Sequence, residues 1–453
     1  MPRVSVVIAS FNHEKYVREC VQSVLDQTYQ DLEIIITDDG SSDRTVEVIR
    51  RFNDPRIRLD TFTHNMGVCN ALNHCLQAAA GEYIAVLNSD DAWEPTKLAV
   101  QVKYLDEHPE IGAVFTKVTL VDESSKPIGP GDYKFFYIFD VENRSRFAWL
   151  NNFFSKGNGL CHPSVLIRKK SQDDIGLYNK RMFNLHDFDM WVRLCFKYDI
   201  HVVDERLVRF RIRDGEANAG GDRLPNRIRI WFEWKQILNH YLTIKDRQMF
   251  SNVFPEAKRY GEVKSEFIPY FLGMLALDVE WSLHHLWGLE VLNNFIGDHV
   301  IARGLEDNYG FRYRDFHTLT AQRDVFHLAK DTQISSLQST NLAKDTEISS
   351  LQSANLAKDM QILSLQSILA DKTLVIAGLQ HELDAIRSSR TWRVATKLHH
   401  ISIRVLPLGS RRRLLAGLAL KAMMHPRQIL RRLTASVLRR VAHVPGNGNT
   451  TVP

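Results

Sequence analysis

Residues 4–38 read VSVVIASFNHEKYVRECVQSVLDQTYQDLEIIITD, and they decide the fold. VSVVIAS (4–10) and LEIIITD (32–38) are short, apolar and rich in β-branched residues, the pattern of strands buried on both faces. Between them, EKYVRECVQSVLDQ (14–27) spaces its apolar residues at helical intervals. The alternation continues with helical RTVEVIRRF (44–52), strand-like IRLDTF (57–62), helical GVCNALNHCLQAA (67–79) and strand-like EYIAVL (82–87). Such alternation predicts an α/β fold with a parallel sheet. Ligands of these sheets bind beyond the C-terminal ends of the strands. Three polar clusters, SFNH, TDDGSSD and NSDD, fall at those ends. One aspartate after one strand reads as a helix cap, whereas three clusters on one edge read as a site. Asp90 and Asp91 are adjacent carboxylates, unfavourable unless something positive sits beside them. A metal ion with a phosphate behind it would meet that need.

A chain of 453 residues has room for two or three domains. Its composition, 44% hydrophobic and 25% charged, is that of an ordinary globular protein. Cys20, Cys69, Cys75, Cys161 and Cys195 are odd in number and scattered, without a CxxC pair. That predicts reduced thiols in the cytosol, not disulfides or a zinc site. MPRVSVVIASFN lacks the apolar length and cleavage site of a signal peptide. No uninterrupted run of 18 apolar residues occurs, so no membrane-spanning helix is expected. The net charge of +5 conceals an asymmetry: the 13 Lys and Arg after residue 389, with no Asp or Glu, leave the first 389 residues at −8. A tail of that kind usually meets something anionic.

Beyond residue 96 a helix (TKLAVQVKYLDEH), a strand (IGAVFTKVTLVD), a Gly/Pro turn region, a helical NLHDFDMWVRLCFKY (184–198) and a strand-like RLVRFRI complete a first domain, 1–215. Residues 216–325 read as a helical, aromatic-rich accessory region. From 328 a 14-residue repeat begins: LAKDTQISSLQSTN, LAKDTEISSLQSAN, LAKDMQILSLQS. Two heptads per repeat place Ile334, Asn341, Ile348 and Asn355 at a, and Leu337, Lys344, Leu351 and Lys358 at d. This predicts a coiled coil over 326–389 and a homo-oligomer, since buried Asn at a fixes register and oligomer number. In the tail, 390–453, RRRLLAGLALKAMM (411–424) and RQILRRLTASVLRRVAH (427–443) are basic and amphipathic, the pattern of helices that lie on an anionic membrane surface. A nucleic-acid partner is not expected, because Trp392 is the tail's only aromatic residue and base stacking would need more.

Taken together, the motifs from VSVVIASFNHEKY through TDDGSSDRT, then HNMGVCNALNHCLQAAAGEYIAVLNSDDAWEP, then HDFDMWVRL resemble glycosyltransferase family 2, from about residue 3 to about residue 215. The resemblance implies a GT-A, Rossmann-like domain that inverts configuration as it moves a sugar from a nucleotide diphosphate to an acceptor hydroxyl. It implies Mg²⁺ or Mn²⁺, a hard cation bridging carboxylate and phosphate oxygens. The family's DxD motif reads here Asn88-Ser89-Asp90, which makes Asp90 the metal ligand. Asn88 replaces the usual first aspartate and brings a ribose-bonding amide without charge. Asp91 is left as a group behind the metal or the cap of the helix after Pro95. Asp39 matches the base-binding position, Phe11 flanks or stacks on the base, and Asn65 and Gly67 match the loop near the nucleotide, where glycine permits close backbone approach. Asp38 is taken as a turn residue.

An inverting transfer needs one general base. The resemblance maps it onto Asp187, with His186 in place of the family's glutamate. Asp189 is the rival, but two helical residues point about 200° apart, so only one faces the site. His162 is either near the acceptor or diphosphate, or a satisfied structural histidine. The expected role is polysaccharide assembly of the O-antigen or capsule kind, on a glycan or lipid-linked acceptor, by a cytoplasmic protein held at the inner face of the cell membrane. The competing reading is a catalytically degenerate scaffold acting through its coiled coil, favoured by Asn88 and His186 and opposed by the retention of Asp39, Asp90 and Asp187. An NAD-dependent enzyme is excluded, because no GxGxxG follows the first strand.

Overall fold

The computed structural model describes residues 1–218, 220–405 and 411. The expected alternation is present: β1 (Val4–Ser10), α1 (Val17–Leu25), β2 (Leu32–Asp38), α2 (Thr45–Arg50), β3 (Ile57–Thr61), α3 (Val68–Ala78) and β4 (Tyr83–Asn88). These four strands are parallel, in the order β3-β2-β1-β4. Ser10 pairs with Asp38 and Ala9 with Asn88, so the three polar clusters leave the sheet along one edge. The chain continues as β5 (Ala92–Trp93), α4 (Lys97–Glu107), β6 (Ile111–Val121), α5 (Arg146–Ser155), β7 (Leu166–Arg168), α6 (Lys169–Ile175), α7 (His186–Cys195) and β8 (Asp199–Arg211). β7 inserts antiparallel between β4 and β6, β8 runs parallel to β6, and β5 closes the far edge antiparallel to β8.

Alternation along β1 and β2 feeds two cores. Val6, Ile8 and Ile34 pack under α1 and α4 on one face. Val7 and Ile35 pack on the other, under α3, α5 and α7. That second core runs on into α8 (Leu224–Leu238), α9 (Arg247–Val253), α10 (Ile268–Asp278), α11 (Ser282–Ile296), α12 (His299–Tyr309) and α13 (Tyr313–Gln322). Several of the aromatics that marked the accessory region are interior here: Trp234 packs edge-on to Phe188 of α7, and Tyr241 and Phe254 close on Phe154 of α5. At the crossing of α10 and α11 a side chain on Gly288 would meet the Gly273 carbonyl at 2.7 Å, so glycine is what lets these backbones touch. Residues 1–331 therefore form one compact unit, and the position near 215 is a change of architecture inside it.

The second unit begins at Thr332, within α14 (Leu328–Ser388), a single helix of 61 residues. The repeat residues Ile334, Leu337, Ile348, Leu351, Ile362 and Leu365 are all exposed along it. Contrary to the expectation from uninterrupted apolar runs, this helix is long and apolar enough to cross a membrane by length and composition alone. Its most apolar 18-residue window has a mean hydropathy of 1.5 with none of it buried. The helix passes because isoleucine and leucine crowd its last heptads, although Asp371 and Lys372 interrupt them. α15 (Arg390–Val405) follows. The amphipathic segments 411–424 and 427–443, Arg411 apart, lie outside the described residues.

Candidate active site

The first part of the site is a turn held by buried carboxylates. Asp38 takes the Ser10 hydroxyl at 2.8 Å and the backbone N–H and hydroxyl of Ser41 at 2.8 and 2.7 Å, which makes it the turn residue expected. Asp39 accepts the backbone N–H groups of Met66 at 2.6 Å and Gly67 at 2.9 Å, so the second polar cluster holds the HNMG loop. Burial raises the Asp39 pKa against the pull of those two bonds. Gly40, at φ +74°, carries the chain past His64, whose backbone carbon would lie 2.5 Å from a Cβ there. Gly67, at φ +93° and ψ 146°, opens α3 with nothing within 4 Å of a Cβ position; its conformation, more than crowding, selects glycine. Asn65 and Phe11 are both exposed beside this loop and strand end, Phe11 at 40%. Phe11 is therefore not a core aromatic.

The second part is the Asn88–Asp91 turn. Its two aspartates have separate fates. Asp91 is buried, accepts the Asn88 amide at 2.9 Å and the Arg211 backbone N–H at 2.7 Å, and has a strongly raised pKa because of burial and the neighbouring Asp90 charge. It does not cap the next helix, whose N-cap is Thr96 with no side-chain cap bond. The buried Arg211 guanidinium donates to the Asp90 carbonyl at 2.8 Å, the Asp122 carbonyl at 2.7 Å and the Glu19 carboxylate at 2.6 Å. The adjacent carboxylates are thus balanced in part by the protein's own arginine. Asp90 is different. Its side chain is only 12% exposed, and its carboxylate lies 3.9 Å from both His13 Nε2 and Arg213 Nη1. It makes no hydrogen bond to a described residue. His13 accepts from Arg213 at 2.9 Å and donates through Nδ1 to the Ser89 hydroxyl at 2.8 Å. Burial holds its pKa down.

Among the described residues no three His, Cys, Asp or Glu side chains converge to hold a metal by themselves. A single unbonded carboxylate fits a Mg²⁺-type ion that takes its remaining ligands from water and substrate phosphate. Asp90 would hold such an ion; when bound, it would neutralise charge on a leaving diphosphate. Asn88 has its amide turned to Asp91.

The third part is the start of α7. Asp187 is half-buried in its first turn. One oxygen accepts the Phe188 backbone N–H at 2.8 Å and the other the Asn158 amide at 3.1 Å. Burial raises its pKa, opposed by His186 and these bonds. Asp189 points into the helical region, 2.9 Å from Arg193 and 2.8 Å from His240. Burial would raise its pKa, but the hydrogen bond to His240 and the Arg193 charge outweigh burial and lower it. His162 is buried, shares a 2.8 Å hydrogen bond with the Tyr178 hydroxyl and stands edge-on to His186 at 5.3 Å. Its pKa is pushed well down by burial and by His186. The second and third parts are joined through the 161–164 segment: Trp93, two residues after Asp91, donates its indole N–H to the Pro163 carbonyl at 2.8 Å, and His162 stands edge-on to His186, the neighbour of Asp187.

Several groups here escape a linear reading. His13 lies in the SFNH cluster, which marks the edge but not the residue. Arg211, Arg213 and Asn158 become neighbours of the site only through β8 and the loop before the 3-10 turn His162–Ser164. Glu233, on α8, is buried and accepts the consecutive backbone N–H groups of Phe183, Asn184 and Leu185 at 2.8, 2.9 and 2.8 Å. It holds the segment that leads into Asp187.

A family model described as glycosyl transferase family 2 matches residues 5–172. An uncharacterized glycosyltransferase of Methanocaldococcus jannaschii is 30% identical over 252 residues, 54% of this chain and 79% of that protein. The Bacillus subtilis glycosyltransferase TuaG, named for teichuronic acid biosynthesis, is 36% identical over 239 residues, 52% of this chain and 88% of that protein. A crystal structure of S. aureus TarS residues 1–349 in complex with UDP-GlcNAc aligns at 18% identity and a TM-score of 0.46, over 62% of this chain and 82% of that one. With a family match over the parallel strands and their polar edge, and with relatives 30% and 36% identical over most of their own length, the chain belongs to glycosyltransferase family 2 and is a transferase of the GT-A fold.

Proposed function

We propose that the enzyme inverts configuration as it moves a sugar from a nucleoside diphosphate to a glycan hydroxyl, on a lipid-linked acceptor of a surface polysaccharide at the inner membrane face. The observation that carries this reading is a half-buried carboxylate of raised pKa, Asp187, joined through the 161–164 segment to the turn that bears the Asp90–His13–Arg213 group. In the proposed reaction the acceptor oxygen attacks the anomeric carbon as its proton passes to Asp187, and the sugar–diphosphate bond breaks. Asn158 and the α7 N-terminus hold the base. Arg213 and the Asp90 side meet the charge that leaves on the diphosphate. Asp39 holds the HNMG loop against the nucleotide, with Phe11, Asn65, Gly67 and Asn88 around it. The teichuronic acid name of one relative supports a polysaccharide product. The exposed Ile and Leu seam of α14 supports self-association through a coiled coil, and the basic tail supports contact with anionic lipid.

The test is a panel of nucleotide sugars with Mg²⁺ or Mn²⁺, reading nucleotide release against an EDTA control and Asp90→Ala. Metal-dependent release of one nucleotide, lost in the variant, is expected. Absence of nucleotide binding by calorimetry across the panel would sink the catalytic reading and leave the scaffold.

A further inference from the structure

α8 has two faces with opposite tasks. Its inner face carries Glu233, Trp234, Ile237 and Leu238 into the core. Its outer face exposes Leu224, Ile228, Trp231 and Phe232 to 68, 65, 41 and 65%, spaced i, i+4, i+7 and i+8 on one side of the helix. An apolar stripe of this kind on a water-soluble surface needs a partner. Arg223 and Arg227 are exposed next to it, and the one acidic residue of the helix, Glu233, is buried. Beside α8, the loop at 133–138 exposes Phe135, Tyr137 and Ile138. Lys134 of that loop pairs with Asp222, which also holds Arg227 at 2.6 Å, so loop and helix form one surface. Both border the acceptor side of the site. Gly159 lies against Ile138 and Val141, next to Asn158, which bonds Asp187. Glu233 holds the turn before Asp187 from the other side.

We propose that this outer face of α8, with the 133–138 loop, docks on a bilayer bearing anionic headgroups. It would present a membrane-borne acceptor to Asp187 at the level of the headgroups. Trp, Phe and Leu on one face, flanked by Arg223, Arg227 and Lys134 in excess of Asp222, which Arg227 and Lys134 share, are the composition of a helix lying in the interface, and the excess basic charge complements anionic lipid. A second copy of the chain fits less well, since a two-fold contact through this face brings Arg223 and Arg227 against their own kind. The proposal rests on the lipid-linked acceptor of the proposed function and differs from attachment by the C-terminal tail.

The test uses the full chain. All five native cysteines are buried, so an environment-sensitive maleimide fluorophore reports on one introduced cysteine at a time: Ile228→Cys on the proposed face, Lys103→Cys on α4 as reference, and Leu438→Cys in the tail. Vesicles of phosphatidylglycerol and phosphatidylcholine are added. The position 228 probe should shift to the blue and become shielded from an aqueous quencher, with both effects lost in pure phosphatidylcholine and weakened by salt, while the position 103 probe stays in water. A response at 438 without one at 228 overturns the proposal and leaves glycosyl transfer standing, since that is read by nucleotide release. Shielding at 228 that needs no vesicles and grows with protein concentration also overturns it, in favour of a second copy.

Discussion

Glu233→Gln tests whether the helical region holds the catalytic base in place. Glu233 Oε1 takes the Phe183 N–H, and Oε2 takes those of Asn184 and Leu185. Glutamine keeps one oxygen and turns an amine on the remaining donor. One charge-assisted bond is lost outright and two become neutral, at a cost of about 2–4 kcal/mol for buried groups. In a unit as large as residues 1–331 that lowers Tm by roughly 4 °C. The functional cost is separate. The segment ends two residues before Asp187, and a displacement of the base by about 1 Å costs on the order of a hundredfold in rate. Glu233 bonds nothing on the nucleotide side, so the donor KM should stay within about twofold. Steady-state nucleotide release gives kcat and KM, and differential scanning gives Tm. A loss of Tm with kcat unchanged would reduce Glu233 to a structural residue. A raised donor KM at constant kcat would refute the placement of its effect on the base.

Four further outcomes follow. Asp187 must be ionised to accept a proton, and its pKa is raised, so the rate should fall as pH drops through a value above the usual carboxylate range; an acid limb at the ordinary aspartate pKa contradicts this. The same shift means the native state binds that proton more tightly than the unfolded chain, so stability is lost as pH rises from the ordinary to the raised pKa. Asp187→Asn should therefore abolish turnover yet melt at or above the parent Tm at neutral pH, and a loss of several degrees would argue otherwise. Arg213→Ala should lower kcat roughly a hundredfold, with Arg213→Lys recovering only part because it lacks the planar fork; equal activity of all three would remove Arg213 from the diphosphate side. Light scattering of the full chain should give a multiple of the monomer mass, reduced to the monomer by Ile348→Asp together with Leu351→Asp, since buried charge at a and d is costly; a monomeric parent would dismiss the coiled coil.

Much of the sheet is legible along the chain because its signal is local. β1 and β2 coincide with the apolar runs 4–10 and 32–38, and the polar clusters fall at their ends because a parallel sheet puts every strand's C-terminus on one edge. The separation of Asp187 from Asp189 is legible too, since helix geometry alone turns them apart. The rest is hidden where partners are distant. β7 is three residues long and antiparallel, too short to carry a period. The bond between Asp91 and Arg211 spans 120 residues, and Asp91 next to Asp90 reads as a group behind the metal or a helix cap until β8 is in place. Glu233 reads as one charge on an aromatic helix, and only folding brings it to three N–H groups 48 to 50 residues upstream. The repeat of 328–369 fixes a helix but not its partner, because its seam is exposed in a single chain.

The most direct test of the central claim compares Asp187→Asn and Asp90→Ala with the parent enzyme, using calorimetry for donor binding and single-turnover transfer for chemistry. With the donor found in the panel, Asp187→Asn should bind as tightly as the parent and transfer at least a hundredfold more slowly, while Asp90→Ala should lose metal-dependent binding. If Asp187→Asn transfers at the parent rate, the base lies elsewhere and the assignment of α7 to catalysis is wrong.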